Sequence, residues 1–142
     1  MLNNNEKVQQ YNHEFDVSID LYYKKKVSAD LCKQIATQLS KKHSANRVNK
    51  IIDVNTKHKR ISFRSPLPSN IRLESHVKFI LSPDICKIIN KTKRALSIYK
   101  IELSIAIFFK TYTCGFYLSQ ESIFLAKKNN VPITFSCYPC SS

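Results

Sequence analysis

Cys137-Tyr138-Pro139-Cys140 has the C-x-x-C spacing shared by zinc half-sites and thiol redox motifs, so chemistry is sought there first. A redox pair sits where a helix N-terminus lowers the thiol pKa, and no helical pattern follows this pair. A structural zinc needs two more ligands, and Cys32, Cys86 and Cys114 offer no second pair at matching spacing. The motif therefore reads as incidental, with Cys32, Cys86 and Cys137 as small core residues, and neither a metal nor a cofactor is expected. His13, His43, His58 and His76 form no close ligand pair, and His43 and His58 fall in a basic stretch where exposed imidazoles are ordinary. Asp16 and Asp20 read as strand-face polarity. A single glycine, Gly115, excludes phosphate cradles and dinucleotide fingerprints, which need several. No catalytic residue is assigned, and an enzyme is not expected.

Basic clustering is the stronger signal. Lys41, Lys42, Arg47, Lys50, Lys57, Lys59, Arg60 and Arg64 lie in one stretch that holds only Asp53 as an acid, and they are the expected partner-binding residues. A second cluster, Lys87, Lys91, Lys93, Arg94 and Lys100, contains no acid. The chain has 23 Lys and Arg against 10 Asp and Glu, a formal charge of +13 that attracts acidic macromolecules. Nucleic-acid readers interleave aromatics with such charges, and only Phe63 lies inside the first cluster, where alternation predicts it buried. Tyr22, Phe108, Tyr112 and Tyr117 are expected to be exposed, but on other segments.

The elements that must position these residues follow from periodicity. Phe15, Val17, Ile19, Leu21 and Tyr23 alternate with polar residues as in a half-buried strand, after a loose lead-in over 1–13. Ser28 caps a helix with a stripe of Leu31, Cys32, Ile35, Ala36 and Leu39. Residues 40–50 read as a basic connection, and Ile51 to Val54 and Arg60 to Arg64 as a hairpin around Asn55-Thr56-Lys57-His58. Leu73, Val77, Ile80 and Leu81 share one helical face, and Ser82-Pro83 restarts a helix carrying Ile85, Ile88, Ile89 and Leu96. Ile101 to Phe109 alternates strictly and is expected to continue or bend through Thr111 to Leu118, with a bulge or turn at Gly115. Ser119 caps a short helix ending at Asn129-Asn130, and Pro132 opens the last strand.

Val17-Ser18-Ile19-Asp20-Leu21-Tyr22-Tyr23-Lys24 is echoed by Leu103-Ser104-Ile105-Ala106-Ile107-Phe108-Phe109-Lys110, each followed by helix and strand. The expected fold is α+β: two related β-α-β halves forming one mainly antiparallel sheet with helices packed on one face, a ferredoxin-like arrangement being one version. Length and a 43% hydrophobic content fit a single domain over 1–142. No apolar run approaches a membrane span, no secretory leader is recognisable, and an odd cysteine count suits a reducing compartment, so a cytoplasmic location is expected.

The run from Gly115-Phe116-Tyr117-Leu118-Ser119 to Ile123, with Leu125 to Val131 and Ile133 to Tyr138, resembles the closing segment of a bacterial family of unknown function, the 4279 family. Phe15 to Leu39 is similar to that family's opening strand and helix. The resemblance supplies no catalytic residues. Small bacterial α+β proteins of this kind also resemble immunity proteins of contact-dependent inhibition systems. What this implies is a non-enzymatic immunity protein that binds and blocks a toxin domain, a nuclease in the expected case, with a basic surface meeting an acidic one. The alternative is a basic nucleic-acid-binding module; no membrane partner is expected, and the oligomeric state is not legible.

Overall fold

The computed structural model describes residues 13–110 and 114–140. Strand β1 (His13–Tyr23) lies in the middle of a five-stranded sheet, because its odd-numbered residues are apolar and need a covered face. Phe15, Val17, Ile19, Leu21 and Tyr23 are all buried. Helices α1 (Ala29–Ser40) and α2 (Ala45–Ile51) follow, then β2 (Ile52–Asn55) and β3 (Arg60–Arg64). Helices α3 (Leu73–Ile80) and α4 (Pro83–Ala95) lead to β4 (Ile98–Phe109), and α5 (Gln120–Lys128) leads to β5 (Ile133–Pro139).

The strand order is β2-β3-β1-β4-β5. β1 pairs antiparallel with β3 and β4, β2 pairs antiparallel with β3, and β5 runs parallel to β4. The fold is thus α+β with a mainly antiparallel sheet. Its first four strands follow the split β-α-β order of a ferredoxin-like sheet, and β5 extends one edge. In the first β-α-β half β3 is inserted between β1 and β2, whereas β4 and β5 of the second half are direct neighbours. The two copies of the echo meet face to face: Ser18 pairs with its own counterpart Ser104 at the centre of the β1–β4 ladder.

The helices cover one face. Ile61 and Phe63 of β3 and Leu103, Ile105 and Ile107 of β4 join the odd residues of β1 in one core with Ile35, Leu39, Ile51, Val77, Ile80 and Ile85 from the helices. Ser28, Ser44 and Ser119 cap α1, α2 and α5 by accepting backbone N–H groups at 3.1 to 3.3 Å. Ser82 precedes Pro83 at the start of α4 without such a side-chain bond. Asn130, just past α5, has φ 54°, a left-handed conformation that asparagine tolerates.

The structure corrects several expectations. The connection over 40–50 contains α2, since Val48 and Ile51 recur at helical spacing and both are buried. Ile51 ends that helix rather than opening a strand. His13 belongs to β1 and is buried, so the lead-in is shorter than read, and residues 1–12 lie outside the described residues. β4 begins at Ile98 and ends at Phe109; residues 111–113 lie outside the described residues, and 114–119 have no regular structure, so no strand bulge forms at Gly115.

The loop after β3 is pinned inside. Ser65 accepts from Leu67 N–H at 3.4 Å, and its Oγ lies 2.8 Å from His76 Nδ1 on α3, both residues being buried. Burial, opposed by the nearby Pro68 and Ile71 carbonyls and the charge of Asp16, holds the imidazole below its ordinary value. The ring is therefore neutral at pH 7, and Ser65 Oγ and His76 Nδ1 share one hydrogen bond.

Two stability outcomes follow from this packing. Ile105, 1% exposed, cannot take a carboxylate: Ile105→Asp should cost several kcal/mol, enough to unfold a domain of this size, while exposed Glu14→Lys should melt like wild type. For His76, the unfolded ring takes up a proton near pH 6.5 and the folded ring only at lower pH. Stability should hold above that pH and fall below it by up to about 1.4 kcal/mol per pH unit. Urea midpoints measured from pH 8 to 5 should show this decline in wild type and a flatter one in His76→Gln.

Candidate functional site

The face of the sheet that carries no helix is built on Asp20. Even-numbered residues of β1 point there, and Asp20 is only 7% exposed between Ser62 of β3 and Glu102 of β4. Three serine hydroxyls donate to its carboxylate: Ser18 and Ser62 to Oδ1 at 3.0 and 2.7 Å, and Ser104 to Oδ2 at 2.7 Å. Charge-assisted bonds of this kind contribute about 1.5–3 kcal/mol each and offset the cost of burying the charge. Asp20 is thus a fastener joining three strands, not the solvated polarity expected of it.

Around it the face is mixed. Tyr22 donates to Glu102 Oε1 at 3.1 Å; burial first, then that bond and the charge of Glu102, raise its phenol pKa. Lys100 lies over the Tyr22 ring at 5.0 Å and 3.6 Å from Glu102. Arg64 Nε is 3.3 Å from Asp16 Oδ1, an ion contact without hydrogen-bond geometry. Phe108 and Tyr138 stack with centroids 5.3 Å apart. Glu14, Asp16, Asp20, Asp53 and Glu102 outnumber Arg60, Arg64 and Lys100 on this side.

The eight expected partner-binding residues do not share one surface. Arg60 and Arg64 stand on the sheet face beside those acids. Lys57 and Lys59 are in the β2–β3 turn, where Lys59 adopts φ 49° and donates to the Lys24 carbonyl at 3.0 Å. Arg47 and Lys50 belong to α2, with the Arg47 guanidinium 5.4 Å from the Phe79 ring centroid. Lys41 and Lys42 follow the end of α1, and the fold brings them to Lys87 and Lys91 of the second cluster.

These four lysines, with His43, rim a cleft of about 230 Å³ between the end of α1 and the start of α4, floored by Leu39, Ile85 and Ile88. Lys42 pairs with Asp84 at 2.9 Å, an exposed contact that contributes little to stability. Among the described residues, Lys41, Lys87 and Lys91 have no carboxylate within ion-pair distance. Charge is therefore segregated by layer: the helices carry the basic excess, and the uncovered sheet face is the more acidic one. Sequence clusters alone missed this cleft; its signal is the pair Lys87 and Lys91, one helical turn apart on α4.

The cysteines are also rearranged. Cys137 is exposed and Cys32 and Cys86 half-buried, so none is the fully enclosed core residue expected. The sulfur beside Cys137 belongs to Cys114, not Cys140. Of the exposed aromatics expected, Tyr117 is 41% exposed, Tyr22 and Phe108 are half-buried, and Tyr112 lies outside the described residues. Among the described residues no group of three or more His, Cys, Asp or Glu side chains could hold a metal, and no helix is long and apolar enough to cross a membrane.

No family model matches the chain, and no curated protein or solved structure matches it either.

The Asp20 arrangement yields a direct test. Asp20→Ala removes the acceptor of three buried or half-buried hydroxyls and should lower the unfolding free energy by about 2–4 kcal/mol, with Asp20→Asn keeping part of it. Urea denaturation of the two variants beside wild type measures this; equal midpoints would show that the carboxylate holds nothing together.

Proposed function

We propose that this protein is a non-enzymatic binding protein whose basic helical face docks an acidic surface of another protein. The observation that carries the reading is a cleft rimmed by four lysines with no Phe, Tyr or Trp in its lining. The lysine cleft between α1 and α4 supplies four cations, three of which have no carboxylate within ion-pair distance among the described residues. The sheet face supplies Tyr22, Phe108 and Tyr138 but carries more acids than bases. Single-stranded nucleic acid is held by phosphate contacts and ring stacking together, and no Phe, Tyr or Trp lines the lysine cleft. Carboxylates of a folded partner need only the first.

In its narrower form the partner is a bacterial toxin domain, a nuclease in the expected case, which the protein binds and blocks in the cytoplasm; this rests on analogy of size and fold class and on the resemblance to the 4279 family. Nucleic-acid binding is the second reading, favoured by the +13 charge alone, and its natural form is contact with phosphates through the same lysines.

Reversing Lys41, Lys42, Lys87 and Lys91 to Glu should weaken partner capture by about tenfold or more while leaving the melting curve close to wild type, because all four side chains are at the surface. Reversing Lys57 and Lys59 should matter less. Association should slow as salt rises, with screening over about 10 Å at 0.1 M. Capture repeated after nuclease treatment separates the readings: an acidic protein retained supports the first, and nucleic acid alone, lost on treatment, replaces it with the second.

A further inference from the structure

The Cys114 and Cys137 sulfurs lie 3.2 Å apart, although the sequence pairs Cys137 with Cys140 by spacing. An extended strand explains the difference. β5 ends at Pro139, and Cys140 just past it is held by its N–H to the Phe109 carbonyl; along such an extended run residues three apart point to opposite sides, so Cys140 does not face Cys137. Both ends of β5 are fastened to β4, by Leu103 N–H to the Pro132 carbonyl and Cys140 N–H to the Phe109 carbonyl, each at 2.8 Å. Cys137 therefore stays on the helix side of β5, opposite Ile107, where Cys114 reaches it.

The approach is not a single side-chain accident. Two residues along each segment, Phe116 packs on Phe135 with centroids 5.0 Å apart, so residues 114 and 116 run antiparallel over residues 137 and 135. Cys137 is exposed to solvent and Cys114 is half-buried against the strand. Reaching the ~2.05 Å of a disulfide needs a movement of about 1 Å.

We propose that Cys114 and Cys137 are an oxidation-sensitive dithiol that a small peroxide converts into an intramolecular disulfide. The Cys137 thiolate attacks one peroxide oxygen: an S–O bond forms, the O–O bond breaks, and the departing hydroxide takes a proton to become water. Cys114 then attacks the Cys137 sulfur; the S–S bond forms, the S–O bond breaks, and the oxygen leaves as a second water with the Cys114 proton. Two thiols lose two electrons and one peroxide is reduced to two waters. Cys137 is the exposed thiol of the two and meets the peroxide first, while burial, and then the hydrogen bond and charge of Cys137, raise the pKa of Cys114. The disulfide would tie the segment entering α5 to the edge strand that follows it.

The test uses the full chain, treated with hydrogen peroxide, alkylated, digested and examined by mass spectrometry. The expected result is loss of two of the five alkylatable thiols and a Cys114–Cys137 crosslink, roughly tenfold or more over any other pairing because the sulfurs are preplaced. Cys140→Ser should give the same crosslink. Cys114→Ser should give none and leave Cys137 as a sulfenic acid that dimedone traps. A dominant Cys137–Cys140 or intermolecular crosslink, the same crosslink pattern in urea, or five thiols left unreacted would each overturn the proposal.

Discussion

Everything in this molecule hangs on β1 being paired along its length with β4, and with β3 over Ser18 to Tyr22. A central strand has no spare hydrogen-bonding edge, so its two faces must each be satisfied by side chains. The odd face does so with apolar residues against helices. The even face has no helix, and at its centre the satisfying group is a carboxylate: Asp20 accepts from a serine on its own strand and one on each neighbour. Ser18 and Ser104, equivalent positions of the echoed segments, are also paired in the β1–β4 ladder and both donate to Asp20. The acid itself is not duplicated, since Ala106 stands at its counterpart. One carboxylate serves both halves: Ala106 stands opposite Asp16, and Glu102, opposite Asp20, is bonded to Tyr22 and paired with Lys100 instead.

This asymmetry between faces also shapes what the protein presents to a partner. On that side Arg64 pairs with Asp16 and Lys100 with Glu102, leaving a mixed surface of both signs. The helices have few acids of their own, and the ends of α1 and α4 converge. The basic excess of the composition is thus concentrated where it can act over a distance, on the surface without stacked tyrosines.

At the β5 edge the same logic of alternation decides the thiol chemistry. A parallel edge strand fixed at both ends presents Tyr138 and Cys137 to opposite sides, so Tyr138 meets Phe108 and Cys137 meets Cys114. The uneven character of this edge, exposed on both faces yet locked at its ends, follows from backbone pairing and not from its own side chains.

Local periodicity by itself determined the α+β class, the strands from Phe15 to Tyr23 and from Ile101 to Phe109, and the helices after Ser28 and Ser119, because alternation and capping are encoded within a few consecutive residues. Seven-residue α2 was hidden because Val48 and Ile51 are too few to set a period inside a basic stretch. The order β2-β3-β1-β4-β5, the burial of Asp20, the meeting of Lys41 and Lys42 with Lys87 and Lys91, and the pairing of Cys114 with Cys137 were decided only in three dimensions. Each joins residues far apart in the chain, and sequence spacing carries no information about which distant elements become neighbours. Proximity along the chain even misled, since Cys137 and Cys140 share a motif but the sulfur beside Cys137 is that of Cys114, and Lys57 and Arg60 share a cluster but belong to a turn and a sheet face.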